Sequence, residues 1–186
     1  MQTSTEGLTF GEMVAQLEEP RWLAAAQQGE SEALERLFQT YHRSVYALCY
    51  RILSRADDAE DAAQSAFVCA FRGLSRFRAQ SSLKTWIYRI AVNESVNLLR
   101  RRRNAPDALA EDSPGAAFAA DFVQKAAVQS VLRNMRPDQR LALILFYWED
   151  LSCEEIAQVM DISLSAAKMR LKRAREEFQR RYRSEP

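Results

Sequence analysis

The sequence predicts an all-α protein, built as two small helical domains joined by a flexible acidic linker. Three observations lead there. Its 186 residues include only five glycines and five prolines, against many Ala, Leu, Glu, Gln and Arg, the residues that favour helix. Apolar residues recur at i, i+3, i+4 spacing in one stretch after another. Residues 104–117, Asn-Ala-Pro-Asp-Ala-Leu-Ala-Glu-Asp-Ser-Pro-Gly-Ala-Ala, cannot build a core, because they hold two prolines, a glycine, three acids and small side chains. They part the helices into two groups, at 20–103 and 118–183.

Residues 1–19 form an N-terminal extension, poorly organised except for Phe10, Met13, Val14 and Leu17, which suit a short amphipathic turn. Pro20 fits the first turn of a helix running to about Gln28, and Gly29 interrupts it. Ser31 is placed to cap a long helix to about Leu53, with Leu34, Leu37, Phe38, Tyr41, Val45, Leu48, Cys49 and Ile52 inward. The single histidine, His42, lies on that helix as a surface or boundary residue. Asp57 and Glu60 suit a capping-box-like start for the next helix, whose apolar stripe is Ala62, Ala63, Ala66, Phe67, Ala70 and Leu74. Residues 76–81 make a polar loop holding Phe77. Ser82 caps the following helix, which reaches about Arg102 with Leu83, Ile87, Ile90, Ala91 and Leu98 as its core face. After the linker a helix is expected from about Phe118 to Asn134, and Pro137 starts another that carries Leu141, Ile144, Leu145 and Trp148.

The last part of the chain, residues 152–175, reads as two helices around a tight turn. Ser152 and Glu155 form a capping box, and Ile156, Ala157 and Met160 give the first helix an apolar face. Asp161-Ile162-Ser163 breaks it, and Ser163 caps a second helix with Leu164, Ala167, Leu171, Ala174 and Phe178 in one stripe. The other side presents Ser165, Lys168, Met169, Arg170, Lys172, Arg173 and Arg175. This is the pattern of a helix-turn-helix, whose second helix enters the major groove of DNA. An ordinary helical hairpin with a solvated basic face has the same local pattern.

A net charge of +1 hides a strong segregation. Residues 72–103 carry nine basic side chains and one acidic, and residues 164–186 carry eight and three. The intervening block, 104–163, carries four and ten, and residues 1–71 carry five and eleven. Two compact basic segments are a footprint for two phosphate-contacting surfaces. On the first of them, Trp86, Asn93 and Asn97 share one side of the helix, bordered by Arg89 and Arg100. An aromatic, two amides and flanking arginines suit unstacked bases and phosphates, although Trp86 fits a core position equally well. Arg100 to Arg103 close the segment as a four-arginine run.

Composition excludes other classes. No apolar run approaches the ~20 residues of a membrane helix, and the N-terminus lacks the basic and apolar regions of a signal peptide. Cys49, Cys69 and Cys153 are odd in number and widely spaced, so neither a disulfide framework nor a CxxC metal site is expected, and reduced thiols in or near helix cores are. One histidine and no clustered inward carboxylates argue against an enzyme such as a nuclease. No catalytic residue, metal or cofactor is expected.

The two basic surfaces lie within longer patterns. Asp57-Ala-Glu-Asp-Ala-Ala-Gln-Ser-Ala-Phe67 is similar to D-A-E-D-x-x-Q-E-x-F, the polymerase-binding helix of bacterial sigma factors. Ser82-Leu-Lys-Thr-Trp-Ile-Tyr-Arg-Ile-Ala-Val-Asn93 with Leu98-Leu-Arg-Arg-Arg-Arg103 is similar to their promoter-melting helix. Met135-Arg-Pro-Asp-Gln-Arg140 and Leu151 to Phe178 are similar to the two parts of sigma region 4. The chain thus resembles, over about residues 20–183, an RNA polymerase sigma factor of the sigma-70 family, in its extracytoplasmic-function (ECF) group. The resemblance implies that 20–103 is region 2, which binds core polymerase and opens the −10 element, and that 118–183 is region 4, which reads the −35 element as duplex. It implies polymerase contacts through Asp58, Asp61, Gln64 and Phe67. It implies −10 contacts through Phe77, Arg78, Gln80, Ser81, Lys84, Trp86, Arg89, Asn93, Asn97 and Arg100. The helix-turn-helix residues named above would meet base edges or phosphates at −35. Core RNA polymerase, promoter DNA and an anti-sigma factor, often membrane-bound in this family, are the implied partners, and the cytoplasm the implied location. A stand-alone helix-turn-helix regulator is the alternative, and it leaves the Asp57–Phe67 and Ser82–Arg103 patterns without a use. Three positions depart from the family pattern. Ser65 replaces an acid, Asp161 stands where a turn glycine is common, and Ala166, Ala167 and Met169 replace the common reading residues, so no −35 preference carries over.

Overall fold

The computed structural model of the protein describes residues 22–103 and 126–184. The N-terminal amphipathic turn, the linker and the first part of the helix expected from Phe118 lie outside the described residues. A helical segment at 22–27 leads into α1 (Ser31–Leu53), α2 (Ala56–Gly73) and α3 (Leu83–Arg103), with a 3-10 turn at Leu74–Arg76. Then come α4 (Ala126–Arg133), α5 (Pro137–Tyr147), α6 (Cys153–Met160) and α7 (Leu164–Ser184). No strand occurs among the described residues.

Helices α1, α2 and α3 pack on one another around Leu37, Val45, Leu48, Cys49, Ala63, Ala66, Ile87 and Ala91. Small alanines line the inner face of α2, which lets the three helices approach closely. Two expected caps are absent. α1 begins after Glu30 and α2 after Arg55, neither with a side-chain cap, so Ser31 and Asp57 are the first and second helical residues rather than caps. Asp58 folds inward instead. Its buried carboxylate pairs with Arg102, and Arg55 lies 3.7 Å from its second oxygen.

The caps of the second unit match the sequence reading. Ser152 Oγ accepts from the Glu155 amide at 3.2 Å, and the Glu155 carboxylate accepts from the Ser152 amide at 3.0 Å. Ser163 Oγ accepts from the Ala166 amide at 3.2 Å. Between them Asp161 adopts φ 52° and ψ 52°, the left-handed region that costs an L residue free energy. Asp161→Gly is therefore expected to raise stability by about 0.5–1 kcal/mol, measured by urea unfolding.

The two units share a core. Leu141, Ile144, Leu145, Leu151, Ile156, Ala157 and Val159 join the apolar cluster of α1, α2 and α3. Helix α3 is consequently covered on two sides: Thr85 and Tyr88 are buried against the second unit, and Val92 and Ser95 are buried as well, all beyond the face that periodicity assigned to it. A second cluster, Val131, Leu132, Met135, Leu143, Leu171 and Ala174, holds α7 against α4 and α5.

Polar contacts cross the same interface. Glu149 accepts from Arg51 Nη1 at 2.6 Å and from Tyr88 Oη at 2.7 Å, and its main-chain carbonyl accepts from Lys84 Nζ at 3.0 Å. Thr85 Oγ1 donates to Glu155 at 3.1 Å, and Arg140 Nη2 donates to the Ile52 carbonyl at 3.0 Å. Burial and the nearby Glu149 charge push the Tyr88 hydroxyl far above its ordinary pKa, so it stays protonated and able to donate. Burial raises the Cys49 thiol to about 11, and a neutral thiol is inert. Cys69 is exposed, contrary to the expectation that all three cysteines pack in or near helix cores.

Candidate nucleic-acid interface

The loop after α2 and the first turns of α3 enclose a cleft of about 270 Å³. Its walls are Arg76, Phe77, Arg78, Gln80, Ser81, Thr85, Trp86, Arg89 and Gln158. The local chemistry explains its shape. Gln27 Nε2 donates to the carbonyls of Leu74 at 3.2 Å and Phe77 at 2.9 Å, which pins the start of the loop. Ala79 at φ 51° turns the chain through the left-handed region, a strained conformation for alanine. Ser82 Oγ then caps α3 by accepting from the Thr85 amide at 3.1 Å. Phe77 and Trp86 meet with ring centroids 5.1 Å apart and planes at 45°. Gly73 makes room for the indole, since a Cβ there would sit 3.3 Å from Trp86 Cζ2.

Six of the ten residues expected at the melting surface line this cleft: Phe77, Arg78, Gln80, Ser81, Trp86 and Arg89. Trp86 is half-buried, so it is both part of the core packing and part of the wall. Lys84 is tied to the Glu149 carbonyl instead. Asn93 and Arg100 are exposed and Asn97 half-buried, farther along α3 and outside the cleft walls. Arg76, Thr85 and Gln158 are walls that the pattern did not single out. Arg76 adjoins the loop and had a local signal, whereas Gln158 reaches the cleft from α6 and had none.

Helix α7 presents Ser165, Lys168, Met169, Lys172 and Arg173 to solvent, with Met169 48% exposed. Two arginines expected beside them turn elsewhere. Arg170 lies 3.7 Å from Asp138 of α5. Arg175 is half-buried, with its guanidinium 4.6 Å from the Phe146 ring centroid and 5.5 Å from that of Tyr147. That is a cation–π arrangement within the protein, so Arg175 braces α7 on α5 and its charge is turned from the exposed face.

The expected polymerase face is also divided. Asp61 and Gln64 are exposed on α2 and line an open groove with Ser65, Val68, Cys69, Arg72, Glu94, Leu98 and Arg101. Phe67 is buried, packed edge-on to Phe38 with centroids 4.9 Å apart, and Asp58 is held by Arg102. These two positions shape the face from beneath rather than presenting their side chains. Phe67 belongs to the apolar stripe that periodicity identified on α2, and burying such a ring stabilises the fold by about 1.5–3 kcal/mol. Phe38 and the half-buried His42 meet beside it as tilted rings, with centroids 4.6 Å apart.

Comparison with known proteins places these surfaces in a family. Residues 37–105 match the family model for Sigma-70 region 2, and residues 125–178 that for Sigma-70, region 4. The chain is 34% identical to the RNA polymerase sigma-H factor of Pseudomonas aeruginosa, over 88% of this chain and 93% of that protein. It is 32% identical to the ECF RNA polymerase sigma-E factor of Haemophilus influenzae, over 88% of this chain and 95% of that one. Its fold is similar to that of CnrH, solved in complex with the cytosolic domain of CnrY, with a TM-score of 0.70 at 23% identity over 89% of this chain and 97% of that one. Both family models fall on the two units that carry the cleft and the exposed basic helix. The chain therefore belongs to the sigma-70 family of RNA polymerase sigma factors, in its ECF group, whose members direct core polymerase to promoters.

Proposed function

We propose that this sigma factor grips its promoter at two points, with the α2–α3 cleft trapping an extruded base of the −10 element and the exposed face of α7 reading the −35 duplex. The observation that carries this is the cleft itself, which joins two aromatic rings and three arginines in a space sized for one base. Extruding a base costs a few kcal/mol, and stacking on an aromatic ring returns about 1–3 kcal/mol. The arginines supply phosphate contacts along the displaced strand. No proton or group transfer is asked of these residues, because the polymerase performs the chemistry. Asp61 and Gln64 supply polymerase contacts from the α2 groove, on a surface separate from the cleft.

At the upstream end, Lys168, Met169, Lys172 and Arg173 meet base edges or the flanking phosphates. Arg173→Ala is expected to weaken −35-dependent initiation by about 1–3 kcal/mol if the side chain reads a base. Run-off transcription on promoters with substituted −35 elements checks this, and an equal loss on all of them marks a phosphate contact instead. The units correspond to residues 20–103 and 118–183 on either side of the linker. The function as a whole is tested by run-off transcription with core enzyme on genomic fragments, together with a core polymerase pull-down. Duplex binding without polymerase binding defeats the two-point reading and leaves a stand-alone regulator.

An anti-sigma factor is the proposed controlling partner. This is supported by the similar fold of RpoE from Bartonella quintana, solved with the anti-sigma factor NepR, with a TM-score of 0.67 at 24% identity over 82% of this chain and 98% of that one. We place the protein in the cytoplasm with the polymerase. Among the described residues no helix is long and apolar enough to cross a membrane.

A further inference from the structure

We infer that Met169 is a specificity-determining residue of the helix-turn-helix, selecting thymine at one position of the −35 element by packing on its C5 methyl group. This rests on the reading of α7 as the −35 reader. Helix α7 buries Ala167, Leu171 and Ala174 and turns Ser165, Met169 and Arg173 outward in a row at four-residue spacing. Lys168 and Lys172 are exposed beside that row. Met169 is the one large apolar side chain in the row, 48% exposed, and it belongs to neither of the two apolar clusters. It lies in the first two turns of α7, the part that a helix-turn-helix lays against base edges.

The chemistry of the side chain narrows what it can meet. Its neighbours are polar: Lys168, Lys172 and Arg173 suit phosphates or guanine O6 and N7, and the Ser165 hydroxyl, 3.1 Å from that of Ser163, can serve a donor or an acceptor edge. The other two arginines of the segment are engaged within the protein, Arg170 by Asp138 and Arg175 by the rings of Phe146 and Tyr147. A thioether has no proton to donate and accepts only weakly. Set against guanine, adenine or the amino group of cytosine, it covers a polar edge and leaves that edge unpaired, which is costly. Thymine alone presents an apolar group in the major groove, its C5 methyl. In the free factor the exposed thioether gains nothing from water, whereas contact with the methyl removes apolar surface of both partners from it. Three rotatable bonds and a polarisable sulfur let the side chain settle on the methyl while the lysines and Arg173 hold the helix in register.

The test uses the full chain in reconstituted holoenzyme. A promoter library with a randomised −35 element is transcribed, and the templates that yield RNA are sequenced, for the wild type and for Met169→Ser. The wild type is expected to select thymine at one position, and Met169→Ser to lose that preference while keeping those at the other positions. The second arm needs no mutation of the protein. Deoxyuridine in place of thymine at the selected position removes only the methyl group. Initiation by the wild type should fall about fourfold, the worth of burying one methyl group, and Met169→Ser should use the two templates equally. Equal use of thymine and deoxyuridine by the wild type overturns the methyl contact, as does a thymine preference that survives in Met169→Ser. Base preferences at −35 with none tied to Met169 overturn this inference alone. A wild-type factor indifferent to the whole randomised element overturns the reading of α7 with it.

Discussion

Trp86→Ala is expected to reduce promoter opening by roughly tenfold to a hundredfold while binding of core polymerase stays intact, the loss corresponding to one stacking platform. The indole is held by Phe77 on one side and by the space above Gly73 on the other, so its plane is set before any base arrives. A preset ring loses little conformational entropy on stacking, and an alanine returns none of the stacking free energy. The α2 groove proposed to meet polymerase, with Asp61 and Gln64, is lined by none of the cleft residues and should be unaffected. Trp86→Phe restores a smaller aromatic surface and should recover part of the activity, separating stacking from packing. Permanganate footprinting of the −10 region is the measurement. Normal reactivity in Trp86→Ala, with Asn93→Ala beside it as the exposed neighbour on α3, sinks the stacking assignment.

Ile156→Ala has the largest expected effect on stability, a loss of about 2–5 kcal/mol. Ile156 is 0% exposed and belongs to the apolar cluster that runs continuously from α6 into α1, α2 and α3. Truncation opens a cavity where the helix-turn-helix meets the rest of the molecule. Because the core is shared, the loss should lower one thermal transition, by roughly 5–15 °C, followed by circular dichroism. Two separated transitions, with only the smaller one shifted, would show that the units melt independently. In transcription assays the variant should lose initiation over the same lowered temperature range in which the whole molecule unfolds.

What the sequence made legible was what neighbours within about four residues decide. The Ser152–Glu155 capping box, the Ser163 cap and the stripe of Ala167, Leu171 and Ala174 need only helical spacing, and the structure has all of them. Resemblance to a family located the cleft loop and both basic helices. What stayed hidden depends on partners far along the chain. Asp58 is drawn inward by Arg102, 44 residues away, and Arg175 by rings on α5. Tyr88 is buried because α6 and Glu149 cover a side of α3 that the first unit alone would leave open. At Phe67 two readings competed, the polymerase contact and the apolar stripe, and the structure puts the ring in the stripe. The missing caps of α1 and α2 have a simpler cause. α1 starts one residue earlier, and α2 two residues earlier, than the cap-forming side chain requires, so that side chain is already part of the first turn.

Glu155 ties a local motif to the arrangement of the whole molecule. One oxygen of its carboxylate closes the capping box on the Ser152 amide, and the other receives the Thr85 hydroxyl from α3. When the units meet, the side chain is fixed in the rotamer that the cap requires, and when they part it regains its freedom. Docking and the order of the α6 N-terminus are therefore thermodynamically linked, each favouring the other. The Ser152 amide becomes a natural reporter, whose hydrogen exchange slows as the units close and quickens as they open, with no label attached to either one.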